Sequence, residues 1–230
     1  MRSMTEGSLP PRPIRHLLPP KGKSEAAKQA ILASEGVCSN ARYGWKTDTL
    51  ELADGLQQLS SVKIRDASSA ADYAAVAALM RAFIDWHYER HSSDRGIIDS
   101  YFDPAAYEVE LRTLPGYFCP LGGALLVAEK DGRIAGCVAL RGLEDGACEM
   151  KRMFVSSEFH GRGVGQALAG AIIERAQELG YSKMMLDTGP AQREAQGLYR
   201  KFGFRNVEPY YHLSPELRDW LVFMELDLTT

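Results

Sequence analysis

Three glycines alternate with other residues in the run His160-Gly-Arg-Gly-Val-Gly165, and its flanks define what such a run can do. Before it, residues 147–155 (Ala-Cys-Glu-Met-Lys-Arg-Met-Phe-Val) read as a strand of large side chains. After it, apolar residues at 164, 168, 171, 172, 176 and 179 share one face of a helix, and Gly180 supplies a C-terminal cap. The glycines therefore sit where a strand turns into a helix. The first amides of a helix have no intrahelical acceptor. With no side chains at Gly161, Gly163 and Gly165 to block approach, those amides can hold a phosphate or pyrophosphate. Other chemistry-bearing residues are His87 and His91, which could line a polar site, and Arg141, Lys151 and Arg152. The three cations could recognise an acidic substrate or form a solvated charged face.

The type of loop can be narrowed. A Walker loop needs Gly-Lys-Ser/Thr, which is absent from the sequence. A dinucleotide fingerprint read from Gly161 needs glycine where Gln166 stands, and read from Gly163 it needs a small residue where Leu168 stands. Both fail.

The elements that must position this loop can be followed along the chain. Its 230 residues suit one sizeable domain with an extension. A net charge of -3 gives no sign of nucleic-acid binding. No apolar run reaches the roughly 18 residues of a membrane span, and no signal-peptide core follows Met1. Cys38, Cys119, Cys137 and Cys148 are scattered and form no Cys-x-x-Cys pair, so they read as reduced thiols of a cytoplasmic protein, not a metal site.

Residues 1–60 form an extension. Five prolines and five basic residues within 1–23 forbid a regular helix there, and 24–34 reads as a short helix capped by Ser24. From residue 61 the pattern is regular. Val62 to Arg65 alternates as a strand, and Ser69 with Asp72 opens a helix by a capping box that continues to Ile84. Residues 85–96, with His87 and His91, read as a loop. Asp103-Pro104 starts a helix ending at Pro115. Strands at 124–129 and 133–141 are joined by Asp131-Gly132, and Asp145-Gly146 turns into the strand at 147–155. A strand at 181–187, a helix at 192–202 and a strand at 220–228 complete the domain.

This order, with the loop sequence, resembles the GNAT superfamily of acyl-CoA-dependent N-acetyltransferases. The family's loop pattern is Gln/Arg-x-x-Gly-x-Gly/Ala, with histidine here at its first position. A second run, Ala195-x-x-Leu-Tyr-Arg-Lys-Phe-Gly-Phe204, is similar to the family's Ala-x-x-Leu-Tyr-x-x-x-Gly-Phe. Gln192 stands where the family often has asparagine, so the contact of that asparagine to the cofactor arm is not carried over. A bacterial-type subgroup of uncharacterised members is especially similar around Cys148 to Val155. The resemblance covers about residues 61–230. It implies an α/β (mixed α+β) fold with a central, mostly antiparallel mixed sheet of about six to seven strands flanked by about four helices.

It also implies acetyl-CoA as cosubstrate, held by Met153, Phe154, Val155, His160, Gly161, Arg162, Gly163, Val164, Gly165 and Gln166, with no metal. The reaction would be direct attack of a primary amine on the thioester. A small metabolite is the expected acceptor, with a protein N-terminus or lysine as the alternative, and a catalytically silent acyl-CoA sensor as a further one. Neither nucleic acid nor membrane is expected as a partner, and the resemblance leaves room for a homodimer. Glu149 lies where histone-acetylating members carry their base; otherwise it pairs with Lys151 or Arg141 across the sheet. Alternation would put Glu149, Lys151, Met153 and Val155 on one face. Tyr199 is the expected acid for the departing thiolate, or else a core residue beside Ala195, Leu198 and Phe202. The segments 85–102, 115–123 and 209–219 would select the acceptor.

Overall fold

A computed structural model describes residues 62–119 and 122–229. The expected extension, including the short helix at 24–34, lies outside the described residues.

The described elements are β1 (Lys63–Asp66), α1 (Ala70–Arg90), α2 (Arg95–Tyr101), α3 (Pro104–Arg112), α4 (Leu114–Phe118), β2 (Ala124–Lys130), β3 (Arg133–Gly142), β4 (Ala147–Val155), α5 (Val164–Glu178), β5 (Lys183–Thr188), α6 (Arg193–Lys201), β6 (Arg205–Val207), α7 (Pro215–Trp220) and β7 (Val222–Asp227), with a 3-10 turn at Ser157–Phe159. The strands form one sheet in the order β1-β2-β3-β4-β5-β7-β6. Only the β4–β5 pairing is parallel.

Local signals account for most boundaries. The Ser69 hydroxyl accepts from the Asp72 amide, and the Asp72 carboxylate accepts from the Ser69 amide, closing the capping box of α1. Asp103 accepts from the Ala106 amide at 2.8 Å and opens α3. Asp131 and Gly132, at φ 53° and 72°, form the left-handed pair that a two-residue hairpin requires. Gly180, at φ 80°, ends α5.

The sheet separates two cores. One holds α5 and α6: Leu168, Ile172 and Ala176 of α5 and Tyr199 of α6 pack with Cys148, Met150, Met184 and Met224 of the strands. The other holds α1–α4: Val76, Met80, Ile98, Phe102, Tyr107 and Leu111 pack with Leu125, Val127, Cys137 and Ala139. Burying a residue such as Ile172 contributes roughly 1.5–3 kcal/mol.

Several expected boundaries were wrong, for reasons of packing. The first helix runs on to Arg90, so His87 lies inside it and His91 is its C-terminal cap; in the polar aromatic stretch after Ile84, the His87 ring packs against Phe83 and Phe102, and Tyr88 bonds Asp99 of α2. Helices α2 and α7 and strand β6 were not anticipated, being seven residues or fewer. Trp220 ends a helix and does not begin a strand.

Candidate active site

The organising event is a bulge in β4. Lys151 pairs with Ala139 and Phe154 with Cys137, so Arg152 and Met153 together face Val138 alone. Arg152 takes the left-handed conformation, φ 54°, to accommodate the extra residue. The bulge corrects the alternation expected from the sequence. Before it, Glu149 and Lys151 face the α1–α4 side, and Lys151 meets Tyr101 of α2. After it, Met153 and Val155 turn to the α5 side, where they pack in that core, while Phe154 faces α1 with its ring 5.4 Å from that of Phe83.

At the same level β4 and β5 separate. Their pairing covers only Ala147–Glu149 against Lys183–Met185, while β5 continues along β7 to Thr188. A cavity occupies the gap, lined by β4 from Met150 to Met153, β5 from Leu186 to Gly189, Tyr199 and Gln192 from the α6 side, and Phe83, His87, Tyr101 and Phe102 from the α1–α2 side.

The glycine-rich loop lies at the α5 side of the gap. Gly161 and Gly163 have φ of 72° and 79°, and a Cβ at either would meet nothing within 4 Å. Gly163 is the N-cap of α5 with no side-chain cap, and the first intrahelical bond runs from the Ala167 amide to the Gly163 carbonyl. The amides of Val164, Gly165 and Gln166 are therefore left for another acceptor. Gly165 faces β4, since a Cβ there would lie 3.7 Å from Met153 and 3.8 Å from Val155. The flanking side chains are held away: His160 Nε2 donates to the Val155 carbonyl at 2.9 Å, and Arg162 reaches Asp131 at 3.5 Å and lies over Phe159.

Glu149 is fully buried and saturated. It accepts from Arg141 at 2.5 Å, Tyr210 at 2.7 Å and Lys151 at 3.2 Å. Burial alone would raise its carboxyl, but Lys151 and Arg141, with Tyr210, override burial and hold it down to about 2. The expected alternative, charge pairing with Lys151 or Arg141, is realised with both. Lys151 also donates to Asp187 at 3.4 Å, and Asp187 accepts from Tyr101 and, at 2.9 Å, from Tyr211. Burial would lower the Lys151 ammonium, yet Asp187 and Glu149 leave it raised to about 12. Arg152 is clamped by Glu110 of α3 at 2.7 and 2.9 Å and lies over Phe102 and Tyr107.

Tyr199 is 7% exposed; its hydroxyl lies 3.8 Å from Met153 Sδ and its ring is 5.7 Å from that of Phe204. Burial raises its phenol above the ordinary value. Gln192 turns inward: its carboxamide oxygen accepts from Thr188 Oγ1 at 2.5 Å and from the Gly189 amide at 2.6 Å, and its nitrogen meets His87 Nε2 at 3.1 Å. His87 is buried, and burial, with His91 and Arg152 adding to it, lowers its imidazole to about 3.

The structure thus gathers Tyr199, Met153, His87, Lys151 and Arg152 around one cavity, with Gly165 of the loop against Met153 and Glu149 bonded to Lys151. Sequence reasoning missed Asp187, and it placed Tyr101, Tyr210 and Tyr211 only within the broad segments 85–102 and 209–219 without singling them out. Each lies on a short element or loop with no motif of its own, so no signal marked the individual residues.

Residues 81–204 match the model of the acetyltransferase (GNAT) family, and the chain belongs to that family of N-acetyltransferases. It is 42% identical over 97 residues to an uncharacterised N-acetyltransferase of Schizosaccharomyces pombe, the match covering 42% of this chain and 60% of that protein. It is 35% identical over 120 residues to the N-acetylaspartate synthetase of Danio rerio, covering 51% and 42%. The chain therefore spans less than two thirds of these relatives. Both are eukaryotic, which supports the family and not the bacterial-type subgroup expected. The fold is similar to a GNAT acetyltransferase of Staphylococcus aureus (TM-score 0.56, 17% identity, 74% of this chain and all of that one). It is also similar to the PaiA N-acetyltransferase of Thermoplasma acidophilum in complex with coenzyme A (TM-score 0.54, 17% identity, 73% and 99%).

Proposed function

We propose that this protein transfers an acetyl group from acetyl-CoA to the primary amine of a small cytoplasmic metabolite, by direct attack in a ternary complex. The observation that carries the reading is the cavity at the β4–β5 gap, walled on one side by aromatic side chains and on the other by Met153, which lies against Gly165 of the loop. The loop residues fit a pyrophosphate: they offer three uncapped amides and open space where side chains would stand. Met153 and Val155 would pack along the pantetheine arm, while Phe154, whose ring is engaged by Phe83, would contribute its backbone. An acceptor enclosed by side chains on this scale suits a metabolite better than a polypeptide. The relatives named N-acetylaspartate synthetase carry, in that name, a small amino-acid acceptor.

The proton accounting differs from the expected one. A lysine-like amine at pH 7 is neutral in only about one molecule in 2,500, given a pKa near 10.4. Glu149, held near 2, is a poor acceptor for that proton, and its oxygens already receive three donors. Asp187 likewise receives Tyr101, Tyr211 and Lys151. We therefore assign Glu149 to orienting Lys151 and Arg141, with the amine losing its proton to water before it is enclosed. Tyr199, kept protonated by burial, serves the leaving thiolate as a hydrogen-bond donor. The proton that the attacking nitrogen sheds on becoming an amide passes to the departing sulfur, which leaves as the thiol.

The test is release of free thiol from acetyl-CoA across amino acids, polyamines, aryl-alkyl amines and peptides. Turnover with small amines and none with peptides supports the proposal. Turnover with peptides alone would replace the acceptor class, and cofactor binding without turnover on any amine would make the protein a sensor.

A further inference from the structure

A nitrogen attacking a thioester becomes positively charged as its lone pair closes on the acetyl carbon, and its hydrogens then need an acceptor inside the site. Among the described residues lining the cavity, Asp187 is the one carboxylate. The cations beside it on the wall, Lys151 and Arg152, can only donate. Glu149 is not part of the wall, and its side chain has no exposed surface. The Asp187 side chain keeps 5% of its surface, so it stands at the wall and not behind it.

Three donors hold Asp187 in place. Tyr101 donates to Oδ1, while Tyr211 and Lys151 donate to Oδ2 at 2.9 and 3.4 Å. A carboxylate offers about four lone-pair sites, so one remains, on the oxygen that Tyr101 engages. Glu149 also receives three donors, but burial closes off its fourth site. The direction of Asp187 fits as well. Met184 and Leu186 of β5 lie in the α5–α6 core, and alternation turns Asp187 the other way, to Tyr101 of α2. Tyr199 lines the same cavity from the α6 side. A thioester between them has a donor for its sulfur on one side and an acceptor for the incoming nitrogen on the other.

Resting on the reading of this cavity as an acetyltransfer site, we infer that Asp187 Oδ1 accepts a hydrogen bond from the attacking amine and is a catalytic residue of the transfer. The amine arrives neutral. The nitrogen–carbon bond forms as the carbonyl π pair moves to oxygen, which leaves the nitrogen positive with two hydrogens. One hydrogen stays bonded to nitrogen, donating to Asp187, and becomes the amide N–H. The other passes to sulfur as the carbon–sulfur bond breaks and the carbonyl re-forms. Asp187 takes no proton; its charge stabilises a nitrogen that is positive only during the transfer.

The experiment uses the full chain and two pairs of primary amines: ethylamine with 2,2-difluoroethylamine, and phenethylamine with its β,β-difluoro analogue. Fluorination changes size little and makes the nitrogen less able to bear charge. Thiol release from acetyl-CoA is expressed per neutral amine. Asp187→Asn keeps the shape and loses the charge. It should slow the unfluorinated amines roughly tenfold to hundredfold, the worth of one hydrogen bond to a charged group, and calorimetry should show acetyl-CoA still bound. The loss should be larger for each difluoro member, because a nitrogen that bears charge poorly depends most on the carboxylate. A variant disturbed only in structure would lose the same factor in both. In the wild type loaded with a non-cleavable thioether analogue of acetyl-CoA, the carbon-13 resonance of the Asp187 carboxylate should move when ethylamine or phenethylamine is added. That measurement needs no variant, so misfolding of Asp187→Asn leaves the inference testable.

An equal loss within each pair, no loss in a folded variant that binds acetyl-CoA, or an Asp187 resonance unmoved by both amines would each overturn the inference. A moved resonance with no thiol release from any amine would sink the proposed reaction and leave Asp187 as the acceptor for the amine. Thiol release slowed equally within each pair would do the reverse.

Discussion

The two sides of the β4–β5 gap are built on different principles. The α5 side offers backbone: bare amides, glycines at positive φ and side chains held away by His160 and Arg162. The α1–α2 side offers side chains, nearly all committed to one another. Glu149, Lys151, Asp187 and Arg152 are tied to Arg141, Tyr210, Tyr101, Tyr211 and Glu110. A backbone site is assembled by one local turn and can be reached by any ligand with the right charge. A side-chain site draws on five elements, and its selectivity depends on all of them being in place.

Breaking the side-chain half should have the largest effect. Glu110→Ala leaves the Arg152 guanidinium buried and unpaired, which should cost about 3–5 kcal/mol of stability by denaturant unfolding. The bare amides do not depend on that pair, so acetyl-CoA should still raise the melting temperature of whatever folds. Next comes the backbone half. Acetyl-CoA at about 100 times its dissociation constant should stabilise the wild type by roughly 2.7 kcal/mol. Gly163→Asp, which puts a carboxylate beside the amides, should abolish that gain. The fold should survive, because the added side chain enters open space and aspartate tolerates the left-handed conformation. An unchanged thermal shift would remove the loop from the cofactor site.

How much of this could be read from the chain follows the same division. The loop, the helix it caps, the capping box at Ser69 and the hairpin at Asp131-Gly132 are each specified by a few adjacent residues. The mostly antiparallel mixed sheet and the interest of Tyr199 came with the family resemblance, but not the order of the strands within the sheet. The bulge could not be read, because Arg152 and Met153 look like ordinary members of an alternating strand and the extra residue shows only against Val138 of β3. The fate of Glu149 was equally hidden. Its basicity is decided by Arg141, Lys151 and Tyr210, and Tyr210 lies 61 positions away in the sequence. His87 was placed in a loop because the polar residues around it mask a helix that buries its aromatic face.

Smaller effects sharpen the comparison where the halves meet. Tyr199→Phe keeps the ring against Phe204, so stability should fall by less than about 1.5 kcal/mol, while turnover should drop about tenfold to hundredfold through loss of a positioned donor. Because burial raises the phenol, any basic limb of the pH-rate profile should persist in the variant. Glu149→Gln should change least in the pH profile: its acidic limb should stay in place and move only when acceptors of different amine pKa are compared. A limb lost in that variant would restore Glu149 as the base. The same variant has a stability signature of known sign. A carboxyl held down to about 2 contributes stability that is fully present above its ordinary value of 4.5 and is lost as pH falls between the two. Glu149→Gln should therefore flatten acid unfolding in that window.

The left-handed Arg152 bears on how this sequence can drift. At φ 54° a side chain other than glycine, asparagine or aspartate carries a backbone penalty of about 1–2 kcal/mol, so glycine is the residue the local backbone prefers. The guanidinium, however, is the cation that Glu110 pairs with among the described residues, through two bonds, and Glu110 is itself buried. Arg152→Gly alone would relax the chain and strand the carboxylate, whereas Arg152→Gly combined with Glu110→Leu could gain on both counts. Two neutral or favourable states are thus separated by an unfavourable single step from either direction. In a saturation library of this domain, positions 110 and 152 should covary strongly, and the double change should be recovered far more often than the product of its singles allows.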